Sequence, residues 1–431
     1  MIDPLAPGAI EEPFWWEGAR PPSDEPGPLP ERADVLVIGG GYTGLSCAIA
    51  LARAGTDVLV VDAETPGFGG SSRNGGQVTG GWNMIDLSAA DEGAMRARVA
   101  EGLASLRHFL ATIDALGLGE AWEPVGKYVA AFAPAHLDGL KRKAEWAAVN
   151  GILETQVVSR ADQHEEIGSD FYHGGVRYTP AGLVQPARFH AGLLRAAIEA
   201  GARVAGRTPV TALERVTGGW RAETPRGEVR ARQVVVATNG YTGSATPDLR
   251  RRVVPVASYI IATEPLPGDV ARRLIPRRRA VSDTARVLSY FRLSPDGRRM
   301  VFGGRASFSS ASARKGAEGL HRMMARRFPE LARARVTHLW RGNVAFARDR
   351  LPHMGEADGM HWALSCNGTG VAMMTWLGNR VAKRILERPN APVSAFDGGT
   401  FPAIPLYGGK PWFVPLIGAG YRIRDRLARL G

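Results

Sequence analysis

The sequence predicts an α/β fold in which a doubly wound sheet carries an inserted α+β domain built on a largely antiparallel sheet. Residues 35–38 and 57–62 are short apolar runs of the kind found in buried parallel strands. A helical pattern over 42–54 separates them and stops at Gly55, a residue type that commonly terminates helices. Residues 253–301 carry a series of short β-type runs instead, which indicates a second, β-rich domain.

The remaining segments follow in chain order. Residues 1–32 are rich in Pro, Glu and Gly, and we expect an extended arm whose Trp15 and Trp16 pack on the body of the protein. Residues 63–90 predict a long loop rich in glycine and serine, and such a loop within a compact domain is usually functional. The other predicted elements are helices near 91–116, 135–149, 187–200 and 313–328, a final strong helix from Gly370, and strands near 203–216, 233–237 and 336–346.

This order of elements sets the expected domain boundaries, because the β-rich segments interrupt the doubly wound pattern. We expect a doubly wound domain over 33–85, 180–250 and 345–395, an inserted domain over 86–179 and 251–344, an N-terminal arm over 1–32 and a C-terminal tail over 396–431.

The composition narrows the class of protein. The 431 residues carry a formal net charge of +12, but the arginines are dispersed, and the runs 250–252 and 277–279 have no neighbouring aromatic ladder. We therefore expect solvated surface arginines and no nucleic-acid partner.

Cys47 and Cys366 form neither a disulfide framework nor a CxxC site, which fits a reducing compartment. With no signal-peptide pattern and no apolar run long enough to span a bilayer, we expect a cytoplasmic protein. The sequence does not set the oligomeric state.

A glycine-rich turn follows the first predicted strand. Gly39, Gly41 and Gly44 form a G-x-G-x-x-G motif: the first allows the tight turn, the second lets the backbone approach a pyrophosphate, and the third allows close packing of helix on strand. The N-terminus of the following helix favours an anion. Asp62, at the end of the second strand, can accept the hydroxyl groups of an adenosine ribose. This Rossmann-like unit predicts a dinucleotide site but does not separate FAD from NAD.

Three further segments fit such a site. Residues 69–77 (GGSSRNGGQ) combine glycines, which permit close approach to a flat ring, with polar donors. Residues 234–240 end a strand in small residues, where nucleotides bind in open α/β sheets. Residues 367–372 form a second glycine turn into a helix, whose N-terminus stabilises negative charge of the kind a reduced flavin carries. Each segment alone also fits an ordinary loop, strand end or helix cap.

Together these segments resemble the D-amino acid oxidase-type family of FAD-dependent oxidoreductases, which includes glycine oxidase and sarcosine oxidase. The similarity is greatest to the gamma-glutamylputrescine oxidase-like branch, and it extends from about residue 34 to the C-terminus. The matching stretches are DVLVIGGGYTGLSCAIALARAG, GGSSRNGGQ, VVVATNGYT, SYIIATEPLP, WRGNVAFARDRLPHMG, NGTGVAMMTWLG and PWFVPLIGAGYRIRDRL.

The resemblance implies non-covalent FAD, because nothing matches the cysteine that attaches the flavin in sarcosine oxidases. It also implies roles for particular residues in binding FAD. These residues are Gly39, Gly41, Tyr42, Thr43, Gly44, Asp62, Ala63, Ser72, Arg73, Asn74, Gly75, Gly76, Gln77, Val210, Ala237, Thr238, Gly240, Gly342, Asp349, Pro352, Gly368, Thr369, Gly370 and Val371.

The sequence departs from the family's pattern at several positions. Asp62 stands where the branch often has Glu, and Thr369 stands where it often has His, which puts a direct transfer of substrate chemistry in doubt. Arg341 and Arg348 replace smaller or neutral residues.

Candidate catalytic and substrate residues are fewer. There is no HExxH motif and no zinc-type spacing, so we expect no metal site. His353 is the histidine we consider as a catalytic candidate. The candidates for contact with the substrate are Tyr259, Tyr290, Trp340 and Arg341.

We therefore expect an FAD-dependent oxidase of the C–N bond of a small amine or amino acid. In the expected reaction, hydride transfer to flavin N5 gives an imine that water hydrolyses, and dioxygen reoxidises the flavin. One alternative is a membrane-associated dehydrogenase that passes electrons to a quinone, since residues 411–430 mix aromatic and aliphatic residues with arginines, a composition suited to peripheral membrane contact. A non-enzyme alternative is a protein that uses FAD structurally or has lost it.

Overall fold

Two large β-sheets organise the chain. The computed structural model describes residues 3–22, 28–305, 312–387 and 389–430. One sheet has eight strands and the other has nine, and a three-stranded sheet lies off both. The helices are α1 Tyr42–Arg53, α2 Gly70–Arg73, α3 Glu92–Ala115, α4 Pro134–Val149, α5 Pro186–Glu199, α6 Pro247–Arg250, α7 Gly268–Leu274, α8 Ala313–Arg327, α9 Gly370–Glu387 and α10 Val414–Ala428.

The eight-stranded sheet is the doubly wound sheet that the sequence predicts. Its strands are β2 Arg32–Ile38, β3 Val58–Val61, β10 Arg203–Ala205, β11 Ala212–Val216, β12 Gly219–Thr224, β13 Gly227–Val236, β19 His353–Ala357 and β20 Met360–Leu364. The central strands β10, β3, β2, β13 and β20 run parallel. Valines and leucines in β2, β3 and β13 are almost fully buried, because the sheet lies within the main hydrophobic core together with α1 and α9.

The nine-stranded sheet is largely antiparallel, as expected for the inserted domain. Its strands, in spatial order, are β1 Leu5–Ile10, β18 Val336–Phe346, β14 Val254–Thr263, β17 Met300–Gly304, β16 Ser289–Leu293, β15 Ala280–Asp283, β6 Lys127–Ala130, β8 Gly175–Thr179 and β7 Glu154–Val158. Only the β1–β18 and β15–β6 pairs are parallel among the described pairings. Apolar side chains from this sheet, α7 and α8 form a second core.

The predicted loop over 63–90 contains regular structure. It holds α2, the strand β4 Gln77–Thr79 and a short 3-10 turn at Trp82–Met84. Strand β4 pairs with β9 Ala181–Val184, which in turn pairs with β5 Trp122–Glu123 to form the three-stranded sheet. Short elements of this kind depend on tertiary pairing rather than on local periodicity, so the sequence pattern missed them.

The N-terminal arm joins the body of the protein at two places. Strand β1 pairs with β18 at the edge of the nine-stranded sheet. Trp15 and Trp16 are buried in a small cluster with Trp340 and Ile260. The arm is therefore part of the packed structure of the inserted domain.

Candidate active site

One cavity of about 1240 Å³ lies between the two large sheets. Its lining includes Gly39 and Gly41 from the first glycine turn and Gly368 and Gly370 from the second. The volume exceeds the range of ~300–1,000 Å³ that is typical of small-molecule sites. The two turns, which are more than 300 residues apart in the sequence, therefore share one crevice large enough for a dinucleotide and a further small molecule.

The register of the parallel strands explains why the turns meet. Ile38 lies beside both Val61 and Val236, so β2, β3 and β13 end at the same level. The next residues, Gly39 and Asp62 among them, emerge together at this carboxyl edge of the sheet. Strand β20 pairs in parallel with β13 and leads into the second glycine turn. Ligands of open α/β sheets bind at this edge.

The glycines of the first turn are needed for close packing. Gly39 has a φ of +111°, and a Cβ atom there would lie 2.8 Å from the carbonyl oxygen of Ala237. A Cβ on Gly44 would lie 1.9 Å from the carbonyl oxygen of Gly39, so only glycine lets α1 pack against the turn. The first amide of α1, that of Tyr42, donates to Ser71 Oγ at 3.0 Å.

Asp62 is fixed at the rim of the cavity by backbone amides. Its Oδ2 accepts from Gly40 N at 2.7 Å, and its Oδ1 accepts from Glu64 N at 3.0 Å. Burial raises the pKa of Asp62 to about 6, and the two amide hydrogen bonds oppose this rise. The carboxylate is thus held in place with capacity to accept further hydrogen bonds.

Three tryptophan indoles hold the segment 72–74 against the cavity wall. Trp16 Nε1 donates to Ser72 Oγ at 2.9 Å, Trp340 Nε1 to the carbonyl of Arg73 at 2.8 Å, and Trp15 Nε1 to the carbonyl of Asn74 at 2.8 Å. These tryptophans come from the arm and from β18. The inserted domain therefore positions the loop of the doubly wound domain.

The glycines of this segment face protein groups. A Cβ atom on Gly75 would lie 2.7 Å from the ring of Tyr290. Gly76 has a φ of +71°, and its Cβ would lie 2.1 Å from the carbonyl oxygen of Val184. The sequence suggested that these glycines permit approach to a flat ring; in the structure the space of their missing side chains is filled by the inserted domain and β9.

Gln77 links the loop to a buried lysine. Gln77 Nε2 donates to the carbonyls of Val281 and Phe291, at 2.8 and 3.2 Å, and Lys127 Nζ donates to Gln77 Oε1 at 2.8 Å. Gln77 and Lys127 both line the cavity. Burial lowers the pKa of Lys127 to about 8. No carboxylate within the described ranges forms a salt bridge with this lysine, so its charge is uncompensated.

The nine-stranded sheet supplies the opposite wall. Ser258 and Ile260 of β14 and Tyr290 of β16 line the cavity, and the hydroxyls of Ser258 and Tyr290 are 2.9 Å apart. Burial raises the pKa of Tyr290 to about 12, so its hydroxyl stays protonated. Arg305, at the end of β17, lies over the ring of Phe346 at 4.6 Å and also lines the cavity.

Most residues that the sequence assigned to FAD lie on this cavity. Those in its lining are Gly39, Gly41, Tyr42, Thr43, Asp62, Ala63, Arg73, Asn74, Gly75, Gln77, Val210, Ala237, Thr238, Gly342, Asp349, Gly368, Thr369, Gly370 and Val371. Gly44, Ser72, Gly76, Gly240 and Pro352 are outside the lining, next to residues that belong to it. Ser72, for example, is buried and donates to the carbonyl of Gly67 at 2.6 Å.

Of the four residues predicted to contact the substrate, only one lines the cavity. Tyr290 lines the cavity, whereas Tyr259, Trp340 and Arg341 do not. Tyr259 packs against Gly316 of α8, on the other face of the sheet. Trp340 is covered by the 72–74 segment that it holds, and Arg341 is exposed.

His353 also lies outside the cavity lining. Its ring stacks on Phe401, with centroids 4.3 Å apart, and its Nε2 is 3.0 Å from Asp349 Oδ2. Asp349 does line the cavity, and the hydrogen bond from His353 helps to hold the pKa of Asp349 below its usual value although burial acts to raise it. This geometry makes His353 a positioning residue for Asp349.

Sequence reasoning missed Lys127, Arg305 and Ser258. Each lies on, or at the end of, a strand of the inserted domain, and no local motif marks it. A lysine at the start of the otherwise apolar run KYVA at 127–130 is the signal that could have found Lys127.

The residues around the cavity fit FAD. Asp62 provides acceptors for ribose hydroxyls, and the small residues at the strand ends leave room for a pyrophosphate. Asn367, which lines the cavity, has a buried Oδ1 with no hydrogen-bond partner among the described residues. A buried polar atom of this kind calls for a donor, and FAD carries suitable N–H and O–H groups. In the same described part of the chain, no group of His, Cys, Asp and Glu side chains is arranged to hold a metal ion, and none of the helices has the length and apolar character of a membrane span.

The chain is similar to known proteins in both sequence and fold. The sequence model of the DAO family, which is described as "FAD dependent oxidoreductase", matches residues 34–384 of this chain. The chain is 31% identical to "Probable oxidoreductase OrdL" of Rhizobium meliloti over 98% of this chain and 99% of that protein. It is also 31% identical to "Gamma-glutamylputrescine oxidoreductase" of Escherichia coli, over 91% of this chain and 93% of that protein. Among solved structures, glycine oxidase from Geobacillus kaustophilus superposes with a TM-score of 0.74 at 21% identity, covering 88% of this chain and 100% of that one.

Proposed function

This chain belongs to the DAO family of FAD-dependent oxidoreductases, and from that premise we propose that it oxidises the C–N bond of a small amine or amino acid with dioxygen as the electron acceptor. The observation that carries the proposal is the shared cavity, in which the strand ends and glycine turns of the doubly wound domain face a wall of polar side chains from the inserted domain. A cofactor on one side and a small polar substrate on the other can meet there.

The doubly wound domain would hold FAD. Gly41 and Thr43 at the start of α1 would face the pyrophosphate, Asp62 the adenosine ribose, and Arg73 to Gln77 with Gly368 to Val371 the flavin end. When bound, FAD would supply the two-electron acceptor for oxidation of the C–N bond.

The inserted domain would hold the substrate. Arg305 is the arginine of the polar wall formed with Ser258 and Tyr290, and a guanidinium in this position can pair with a substrate carboxylate. The Ser258 and Tyr290 hydroxyls can donate or accept at the same wall. Loss of water around an amine bound in the cavity would also depress the pKa of that amine, which favours the neutral form that can be oxidised without a dedicated base. The name of the Escherichia coli relative supports an amine as the oxidised group.

Anaerobic screening of amines and amino acids against the purified FAD-loaded protein tests this proposal. We expect at least one small amine or amino acid to bleach the flavin absorbance, and admission of air to restore it with formation of hydrogen peroxide. Failure of every amine to reduce the flavin, while a chemical reductant still does so, would overturn the proposal.

A dehydrogenase that passes electrons to a membrane quinone is the second candidate. The exposed apolar residues of α10, described below, favour it. The two functions differ in the second half of the assay: a dehydrogenase would stay reduced in air and regain its colour on addition of a soluble quinone.

A further inference from the structure

Helix α10 is fixed to the body of the protein by one face. The Asp425 carboxylate accepts from the backbone amides of Arg286 and Val287, at 2.9 and 2.8 Å. The Tyr421 hydroxyl accepts from Arg350 Nη2 at 2.9 Å, and Arg350 lines the cavity. The inner side of α10 therefore lies beside the rim of the candidate active site.

The outer side of α10 is apolar and exposed. Leu416 is 68% exposed, Ile423 61% and Leu427 61%. Their spacing of seven and four residues places these three on one helical stripe, and Trp412 and Leu430, just beyond the two ends of the helix, are 56% and 78% exposed. Asp425 and Tyr421 fall on the opposite side of the helical repeat. The stripe thus faces away from the protein that holds the helix.

Arginines flank this stripe. Arg422, Arg424 and Arg426 are exposed, and Asp425, the one acidic residue of the helix, is buried against the loop at 286–287. A helix with an apolar outer stripe and cationic flanks is suited to lie in the interface of an anionic bilayer, with its apolar side chains below the level of the headgroups.

We propose that the outer face of α10 is a docking surface for anionic phospholipid, which holds the protein peripherally on a membrane with the rim of its cavity close to the lipid surface. The charge pattern favours lipid over a second copy of this chain. In a two-fold contact between two α10 helices, the arginines of one helix would face those of the other without an exposed carboxylate to pair with them. The proposal does not depend on the substrate or on the electron acceptor.

Co-sedimentation of the FAD-loaded protein with phospholipid vesicles tests the docking surface. We expect binding to vesicles that contain phosphatidylglycerol, little binding to phosphatidylcholine alone, and release at high salt because screening weakens the arginine contribution. The double substitution Ile423→Ser and Leu427→Ser, and separately Arg424→Gln with Arg426→Gln, should each lower the bound fraction at limiting lipid by about tenfold. The matched control is Val149→Ser with Val393→Ser, which removes two exposed apolar side chains outside α10; these valines are 81% and 86% exposed.

Three results would overturn the proposal: no preference of the wild-type protein for anionic vesicles, equal loss of binding in the control, or a wild-type dimer that Ile423→Ser with Leu427→Ser converts to a monomer without lipid. The last result would identify the stripe as an interface between copies of this chain. If a substituted protein fails to retain flavin, the lipid preference and salt dependence of the wild-type protein still decide the question.

Discussion

Lys127 Nζ lies 2.8 Å from Gln77 Oε1, and this hydrogen bond joins the two domains at the cavity. Lys127 belongs to β6 of the inserted domain, whereas Gln77 begins β4, shortly after the segment 72–74 that the three tryptophans hold. Since Gln77 Nε2 donates to two backbone carbonyls, the amide has one orientation, with its oxygen toward the lysine. Lys127 is therefore both a positioning group for Gln77 and a source of donors in the cavity.

Replacement of Lys127 by Met should change how stability depends on pH. Burial lowers the pKa of Lys127 to about 8 in the folded state from an ordinary 10.5. Between these values the unfolded chain binds more protons, so the stability of the wild-type protein rises with pH through this window. Relative to Lys127→Met, the wild type should gain about 2 kcal/mol between pH 7 and pH 9.5. Denaturant unfolding at fixed FAD concentration measures this difference, and Lys141→Met, at an exposed position of α4, serves as the control. Parallel pH profiles for wild type and Lys127→Met would contradict the prediction.

Trp340 should act through the loop rather than on the substrate. Substitution of Trp340 by Phe keeps an aromatic ring in the cluster but removes the indole donor to the carbonyl of Arg73. We expect a loss of about 1 kcal/mol in the free energy of unfolding and a several-fold weaker affinity for FAD. Flavin fluorescence titration and denaturant unfolding provide the two measurements. The control is Trp220→Phe, which removes an exposed hydrogen bond from the indole N–H to the carbonyl of Asp358. A normal FAD affinity with a raised KM would show instead that Trp340 contacts the substrate.

The doubly wound half of the fold could be predicted from the sequence because its signals are local. The apolar runs of β2 and β3, the G-x-G-x-x-G turn and Asp62 all lie within 30 residues, and the register of parallel strands brings their ends together. The prediction that the two glycine turns share one crevice is confirmed, since both line the same cavity.

The substrate wall could not be predicted in the same way, because its geometry depends on which face of a strand meets the cavity. Tyr259 pairs with Arg341, and Ile260 pairs with Trp340, so the two pairs lie on opposite faces of the sheet. A shift of one residue exchanges these faces, and nothing in either strand's sequence decides between them. Arg305 reaches the cavity from the end of another strand, and Trp340 is on the cavity side but is covered by the loop.

Asp62 should make FAD affinity depend on pH. Burial raises its pKa to about 6, so the carboxylate that would accept the ribose hydroxyls becomes protonated as the pH falls through 6. We expect the dissociation constant for FAD to rise between about pH 7 and pH 5 in the wild-type protein. In Asp62→Asn, the free energy of FAD binding should be less favourable by about 1–2 kcal/mol at pH 7, and it should be nearly constant over the same pH interval. Equilibrium titration of the flavin-free protein with FAD measures both effects. A wild-type affinity that does not change with pH would count against a role for Asp62 in binding.

Arg327 and Asp283 form a buried ion pair that should be important for stability. Arg327 Nη2 lies 2.7 Å from Asp283 Oδ2, and both side chains are almost fully buried. Replacement of Arg327 by Met leaves a buried carboxylate without its partner, so we expect a loss of about 3–5 kcal/mol in the free energy of unfolding. The matched control is Arg273→Met, which breaks exposed pairs with Asp269 and Glu330 and should cost far less stability, because solvent screens exposed charges. Equal losses in denaturant unfolding would mean that burial does not govern the contribution of these pairs.

Arg305 should set the preference for substrates that carry a carboxylate. Burial lowers the pKa of its guanidinium, and among the described residues no carboxylate forms a salt bridge with it, so a substrate anion would provide its missing partner. We expect Arg305→Met to lower kcat/KM by roughly 10–100-fold for an amine that carries a carboxylate, and by much less for the same amine without one. The control is Arg341→Met, because Arg341 is exposed and outside the cavity lining. Steady-state kinetics with such a substrate pair, together with flavin content, separates a lost anchor from a damaged fold. If Arg305→Met slows both substrates equally at normal flavin content, Arg305 does not recognise the carboxylate.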